Sequence, residues 1–216
     1  MTQKSTIAVI GLGNIGSIVA TNLVKGNRAV IVADRTAEKA AGLAKKLGPL
    51  ATPKTIVDAI KEADIVVLAV WFSAIKELLA QYASELQGKI IIDPSNPIAP
   101  DDKGGFKKII DEHTSAGEVL SAVAPKNATF VKALGTLSAA SLAGAAFQKP
   151  EAAVLFYATD NTSVADAVEL LIKDSGFAPA YVGGIDKSIK IEVFGDLHEF
   201  GALGKTITLS ALAAKA

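Results

Sequence analysis

The chain has 216 residues, 50% of them hydrophobic, with 22 basic and 22 acidic residues and no cysteine. This length suits one or two domains with an ample core, and the zero net charge excludes a general basic field for nucleic acid or membrane. The lack of cysteine excludes disulfides, thiol catalysis and thiolate metal sites.

Residues 1–6 are polar, unlike a secretory signal. The apolar run over 6–10 is strand-like and leads directly into Gly11-Leu12-Gly13-Asn14-Ile15-Gly16. A helical pattern covers 15–25, a second strand 29–33, and Asp34 follows at once. Strand, G-x-G-x-x-G, helix, strand and acid in that order form a dinucleotide-binding fingerprint. Gly11 permits the tight turn out of the strand, Gly13 lets a pyrophosphate approach the backbone, and Gly16 lets the helix pack close to the sheet. Leu12, Asn14 and Ile15 complete the turn at the helix N-terminus, whose free N–H groups attract phosphate. A glycine turn that binds nothing is the bland alternative.

Asp34 stands where an acid accepts hydrogen bonds from the adenosine ribose, which favours NAD. Arg35, Thr36 and, one turn on, Lys39 favour the 2′-phosphate of NADP. Arg35 is one of only two arginines, the other being Arg28. The alternatives are an Asp34 that merely caps the next helix and a solvated helix start at Arg35 and Lys39.

Helical patterns follow over 37–47 and 56–62, then an apolar strand over 64–70. Val70 and Trp71 end that strand, where ligands lie in a doubly wound sheet, so they are candidates for a cofactor wall. A helix over 74–85 precedes a strand over 89–93. Pro94, Pro97 and Pro100 then prohibit a helix. Asn96 and Pro97, past the strand end, are candidates for contact with the ribose or nicotinamide; turn chemistry alone is the alternative. Residues 101–105 read as a polar loop, and a soft boundary falls near 125. The stretch between Lys132 and Lys149 carries no charge, but it is rich in Gly, Ala and Ser and shorter than the ~20 apolar residues of a membrane helix. Strands at 129–133, 153–158 and 180–182, with a helix over 163–175, could extend the same sheet. The tail reads as helix around Gly195 and Gly201, covering the cofactor cleft or forming a subunit contact.

This alternation implies an α/β fold, a doubly wound and mostly parallel Rossmann sheet with a small C-terminal helical extension. Residues 1–185 are read as the NAD(P)-binding domain and 186–216 as the C-terminal helical segment. No acid–base pair stands out. His113 and His198 are read as surface residues, Glu192 as a helix surface and Lys132 as a strand-end lysine. His198, Lys132 and Glu192 are nonetheless the candidates for a proton donor or substrate-side cation. No metal-ligand spacing is present.

Three motifs carry a resemblance to a known family: the opening Ile10-to-Gly16 turn, Asp93-Pro94-Ser95-Asn96-Pro97, and Val131-Lys132-Ala133-Leu134-Gly135-Thr136. In this order they resemble the coenzyme F420-dependent NADP oxidoreductase family, which includes small bacterial dinucleotide-binding reductases and the cytoplasmic domain of six-transmembrane ferric reductases. The resemblance implies a Rossmann domain with a small C-terminal portion, a homodimer, and hydride transfer from NADPH to a deazaflavin or flavin. The family's 2′-phosphate site commonly reads Ser-Arg followed by a lysine. This chain keeps Arg35 and Lys39 but has Asp34 in place of the serine, which leaves NAD as the alternative cofactor. It also has Leu134-Gly135 where the family continues with Phe-Asn or Leu-His. The expected protein is a cytoplasmic NAD(P)H-dependent oxidoreductase with a flavin-like acceptor and no nucleic-acid or membrane partner. A reductase of small carbonyl or imine compounds and a non-catalytic dinucleotide-binding redox sensor are the alternatives.

Overall fold

The computed structural model describes residues 4–102 and 104–214. Residues 1–3, Lys103 of the expected loop and the last two residues of the tail lie outside them. Strand β1 (Ile7–Ile10) is buried at all four positions and turns into helix α1 (Asn14–Lys25). The alternation continues with β2 (Val30–Ala33), α2 (Ala37–Leu47), β3 (Ala51–Pro53), α3 (Ile56–Glu62), β4 (Ile65–Leu68), α4 (Phe72–Gln81) and β5 (Ile90–Asp93). A separate antiparallel hairpin, β6 (Ile98–Pro100) and β7 (Phe106–Lys108), follows. Then come α5 (Ala116–Ser121), β8 (Thr129–Ala133), α6 (Ala139–Gly144), β9 (Val154–Ala158), α7 (Ala165–Asp174) and β10 (Ala178–Tyr181). The tail holds a 3₁₀ segment, Ile185–Ile191, and a short helix α8 (Leu209–Ala213).

Eight strands form one sheet in the order β3-β2-β1-β4-β5-β8-β9-β10. All neighbours are parallel except β8 and β9. The strand order reverses between β1 and β4, so the loops after these two strands part and leave a crevice at their carboxyl ends. The alternation of side chains explains the wholly apolar strands. Val9 faces Val19 and Leu23 of α1, while Ala8 and Ile10 face Ile60, Ile75 and Leu79 of the helices on the other side. The strands on either side of residue 125 share this sheet, with Ile90 opposite Thr129 and Asp93 opposite Lys132. Among the described residues no helix is long and apolar enough to cross a membrane.

Two local expectations are corrected. Helix α4 runs over Phe72–Gln81 instead of 74–85, because the chain turns at Tyr82 and returns Leu86 to the core. No helix forms around Gly195 and Gly201; residues 192–203 are successive turns. A Cβ at Gly201 would lie 1.8 Å from the Gly195 carbonyl oxygen, so these glycines serve backbone-on-backbone packing that a helix does not allow. Sequence patterning also missed the three-residue edge strand β3, α5 and α6, six residues each, all too short to show a period, and the β6–β7 hairpin within the proline-rich stretch.

Candidate dinucleotide site

Gly11 leaves β1 with φ +89°, and a Cβ there would lie 2.5 Å from Val70 Cγ1 and 2.7 Å from the Ala69 carbonyl oxygen. A Cβ at Gly16 would lie 1.9 Å from the Gly11 carbonyl oxygen, so α1 packs directly on the turn. Gly13 is different: nothing lies within 4 Å of its Cβ position. It opens on a cleft of about 630 Å³ lined by Leu12, Gly13, Asn14, Ser17, Ile18 and Lys39, with Ala139, Ala140 and Ala143 of α6 as the facing wall. Gly13 is the N-cap of α1 and provides no side-chain cap, which leaves N–H groups of the first turn for a ligand. An open cradle at Gly13, an uncapped helix start and a lysine at the rim fit the phosphates of a dinucleotide.

The Asp34 carboxylate ties this turn to the end of β2. Oδ2 accepts the Leu12 N–H at 2.8 Å, and Oδ1 accepts the Thr36 N–H at 3.0 Å. Thr36 stands at the N-cap of α2 but makes no side-chain cap hydrogen bond. Arg35, Thr36 and Lys39 are exposed. Ile15 and Val70 are half-buried beside the glycine turn, and Trp71 is exposed at the start of α4.

The other candidates gather at the carboxyl ends of β5 and β8. The Asn96 side chain is held at both ends: Nδ2 donates to the Gly135 carbonyl at 3.1 Å, and Oδ1 accepts the Val193 N–H at 2.7 Å. Pro97 accepts the Ile109 N–H through its carbonyl, which starts the β6–β7 hairpin. Leu134 has φ +65°, and a Cβ at Gly135 would lie 2.4 Å from the Pro94 carbonyl oxygen. Glycine at 135 therefore serves the close approach of two strand-end turns.

Lys132, Glu192 and His198 are all buried, contrary to the surface reading of Glu192 and His198. Lys132 Nζ donates to Asp93 Oδ2 at 2.7 Å and to the Ser95 carbonyl, with Glu192 Oε1 3.8 Å away. The Glu192 carboxylate accepts the Ala116 and Gly117 N–H groups at 2.8 and 2.9 Å, at the start of α5. His198 Nδ1 accepts the Phe200 N–H at 3.0 Å, and the ring makes a further bond to the Gly135 backbone. Burial lowers the imidazole pKa, against the raising effects of Glu199 and that backbone bond. Glu199 itself is pushed up by burial but more strongly lowered by hydrogen bonds from Ser138 and Ser141. His113 is exposed in a turn.

Sequence reasoning did not find the α6 wall of the cleft or the Asp93–Lys132–Glu192 cluster. The signal for the first was the uncharged Gly/Ala/Ser-rich stretch itself, whose small side chains leave the cleft open. The second is formed by residues far apart in the chain, and no local pattern marks it.

Fold and glycine turn define the class: a Rossmann-type α/β protein of the kind found in NAD(P)-dependent oxidoreductases. Residues 6–97 match the family described as NADP oxidoreductase, coenzyme F420-dependent. The chain is 25% identical over 190 residues to metalloreductase STEAP3 of Rattus norvegicus, covering 88% of this chain and 36% of that protein. It is 32% identical over 103 residues to the F420-dependent NADP reductase of Methanocaldococcus jannaschii, covering 43% of this chain and 46% of the relative. It thus spans less than half of either relative. Among solved structures, the hypothetical protein SMa0349 of Sinorhizobium meliloti superposes with a TM-score of 0.81 at 26% identity, covering 94% of this chain and 95% of that one. The match to this family covers the first two of the three motifs; the third, at 131–136, lies beyond it.

Proposed function

We propose that this chain is an NADPH-dependent oxidoreductase that passes a hydride to a planar, flavin-like or deazaflavin acceptor, with NADH as the alternative donor. The pyrophosphate lies against Gly13 and the uncapped start of α1, facing the alanines of α6. Asp34 keeps the turn in shape through Leu12. Arg35, Thr36 and Lys39 hold the 2′-phosphate. Each Asp34 oxygen keeps a free acceptor site for a ribose hydroxyl, which leaves NADH open. The nicotinamide lies toward Asn96 and Pro97, with Val70 and Trp71 at its flank. When bound, the dinucleotide supplies the hydride; the protein's part is to hold and orient the two rings and to exclude water. A cytoplasmic homodimer belongs to the same reading.

One observation carries the choice of acceptor. Lys132, Glu192 and His198 are buried and already hydrogen-bonded within the protein. A ring acceptor takes the hydride with its two electrons and draws its proton from water, so it does not call on them. A carbonyl or imine leaves a basic atom that wants a protein donor.

The test begins with Gly13→Val. The new side chain has room in the folded protein but fills the phosphate cradle. The variant is expected to fold and to lose about a hundredfold in NADPH affinity by calorimetry, a difference of about 2.7 kcal/mol. Wild-type affinity would remove the assignment. NADPH oxidation by wild type is then followed with flavins, deazaflavins and small carbonyl compounds. Preference for the carbonyls supports the carbonyl reductase, and tight binding without oxidation supports a redox sensor.

A further inference from the structure

The turns of residues 192–203 present two aromatic rings. Phe194 is 52% exposed and Phe200 59% exposed. Single exposed phenylalanines are ordinary, but this pair is built in. A Cβ at Gly201 would lie 2.9 Å from the Phe194 carbonyl carbon, so the two backbone stretches that carry the rings run in contact. Phe194 has φ +72°, an unfavourable backbone for a residue with a bulky side chain.

The segment is also tied to its surroundings by hydrogen bonds. Val193 donates to Asn96 Oδ1 at 2.7 Å, Leu197 to the Lys190 carbonyl at 2.8 Å, and Glu199 to the Thr136 carbonyl at 3.3 Å. The Glu199 carboxylate accepts the Ser138 N–H, at the residue that precedes Ala139 of the cleft wall. Phe200 is fixed by its own N–H on His198 Nδ1, with the two rings 5.5 Å apart. Asn96, Thr136 and Ser138 lie past the carboxyl ends of β5 and β8 and at the start of α6, the end of the sheet to which the proposed function assigns the donor ring. The left-handed backbone at Phe194, beside a second exposed ring, is the kind of local strain that clusters at ligand clamps.

We infer that Phe194 and Phe200 form the stacking platform for the planar hydride acceptor, which would lie between them and the donor ring. This rests on the reading that the acceptor is a flat, flavin-like ring system. Aromatic faces and edges bind such a ring through offset and tilted contacts at centroid separations of roughly 4.5–7 Å.

The probe is riboflavin, which offers the ring without phosphate charge. Its equilibrium binding to the full chain saturated with NADP⁺ is measured by flavin fluorescence, beside calorimetric NADPH affinity and the thermal midpoint. Phe194→Ala and Phe200→Ala are each expected to weaken riboflavin binding about tenfold, with NADPH affinity unchanged within about twofold, while Phe200→Tyr retains binding. Phe194→Gly relieves the backbone and should raise the thermal midpoint while still losing riboflavin. Wild-type riboflavin binding in the double alanine variant overturns the platform alone. If that variant instead changes only from dimer to monomer by light scattering, the rings cover a second copy and the inference is again overturned. Wild-type protein that binds NADPH but no riboflavin or deazaflavin overturns the flavin-like acceptor itself.

Discussion

Asp34 and Arg35 bring opposite charges to the end of β2, where we propose the adenosine end of a dinucleotide, and hydrogen bonding separates their tasks. Asp34 uses both oxygens on the Leu12 and Thr36 amides, while Arg35 and Lys39 stay exposed. Replacing Arg35 and Lys39 together by alanine is expected to lower NADPH affinity about tenfold to a hundredfold and leave NADH unchanged, since a charge-assisted hydrogen bond is worth roughly 1.5–3 kcal/mol. Parallel calorimetric titrations check this; an equal loss for both cofactors would place the two cations elsewhere. At Lys132 the expectation concerns stability. Lys132→Ala leaves Asp93 and Glu192 buried without their cation, which costs about 3–5 kcal/mol, read as a lower urea midpoint. The glycines of the turn were legible in sequence because each answers a local demand. The partners of Asp34 and Lys132 were not, because residues distant in the chain supply them.

At the scale of elements, the segment 192–203 shows how an apparent helix becomes a packed series of turns. Its glycines permit backbone contact, and Asn96, Ser138 and the start of α5 supply the anchors. Two of its side chains make it sensitive to acid. Burial holds the His198 imidazole below its ordinary 6.5, so protonation favours the unfolded chain. Its contribution is full above that value and declines as pH falls through the window beneath it. Burial would raise the Glu199 carboxyl, but the Ser138 and Ser141 bonds hold it below its ordinary 4.5. Its contribution is full above 4.5 and is lost as pH falls through the lower folded value. The thermal midpoint should therefore fall on acidification from about pH 7.5 to about pH 4. His198→Asn, whose Oδ1 can accept the Phe200 N–H, should flatten the upper part of that curve in scanning calorimetry. An unchanged slope would show that other groups control it.

At the scale of the whole molecule, β5 and β8 join the parts of the chain on either side of residue 125 through four paired positions. We expect 1–185 to unfold in one cooperative transition and 186–216 to unfold with it, since the tail is anchored to β5, β8 and α6. A calorimetric enthalpy equal to the van't Hoff value checks this; two separable transitions would show independently folding parts. Seven of the eight strands of the main sheet, the helices between most of them, the mostly parallel pairing and the place of the glycine turn were legible in the sequence. They rest on local periodicity, on turn stereochemistry and on the need to bury apolar strands on both faces. The antiparallel joint of β8 with β9, the α6 wall, the inward Asp34, the buried Lys132 cluster and the presentation of Phe194 and Phe200 were decided only by the tertiary structure. Each depends on which distant backbone groups come within hydrogen-bonding or van der Waals reach, and a one-dimensional pattern does not carry that information.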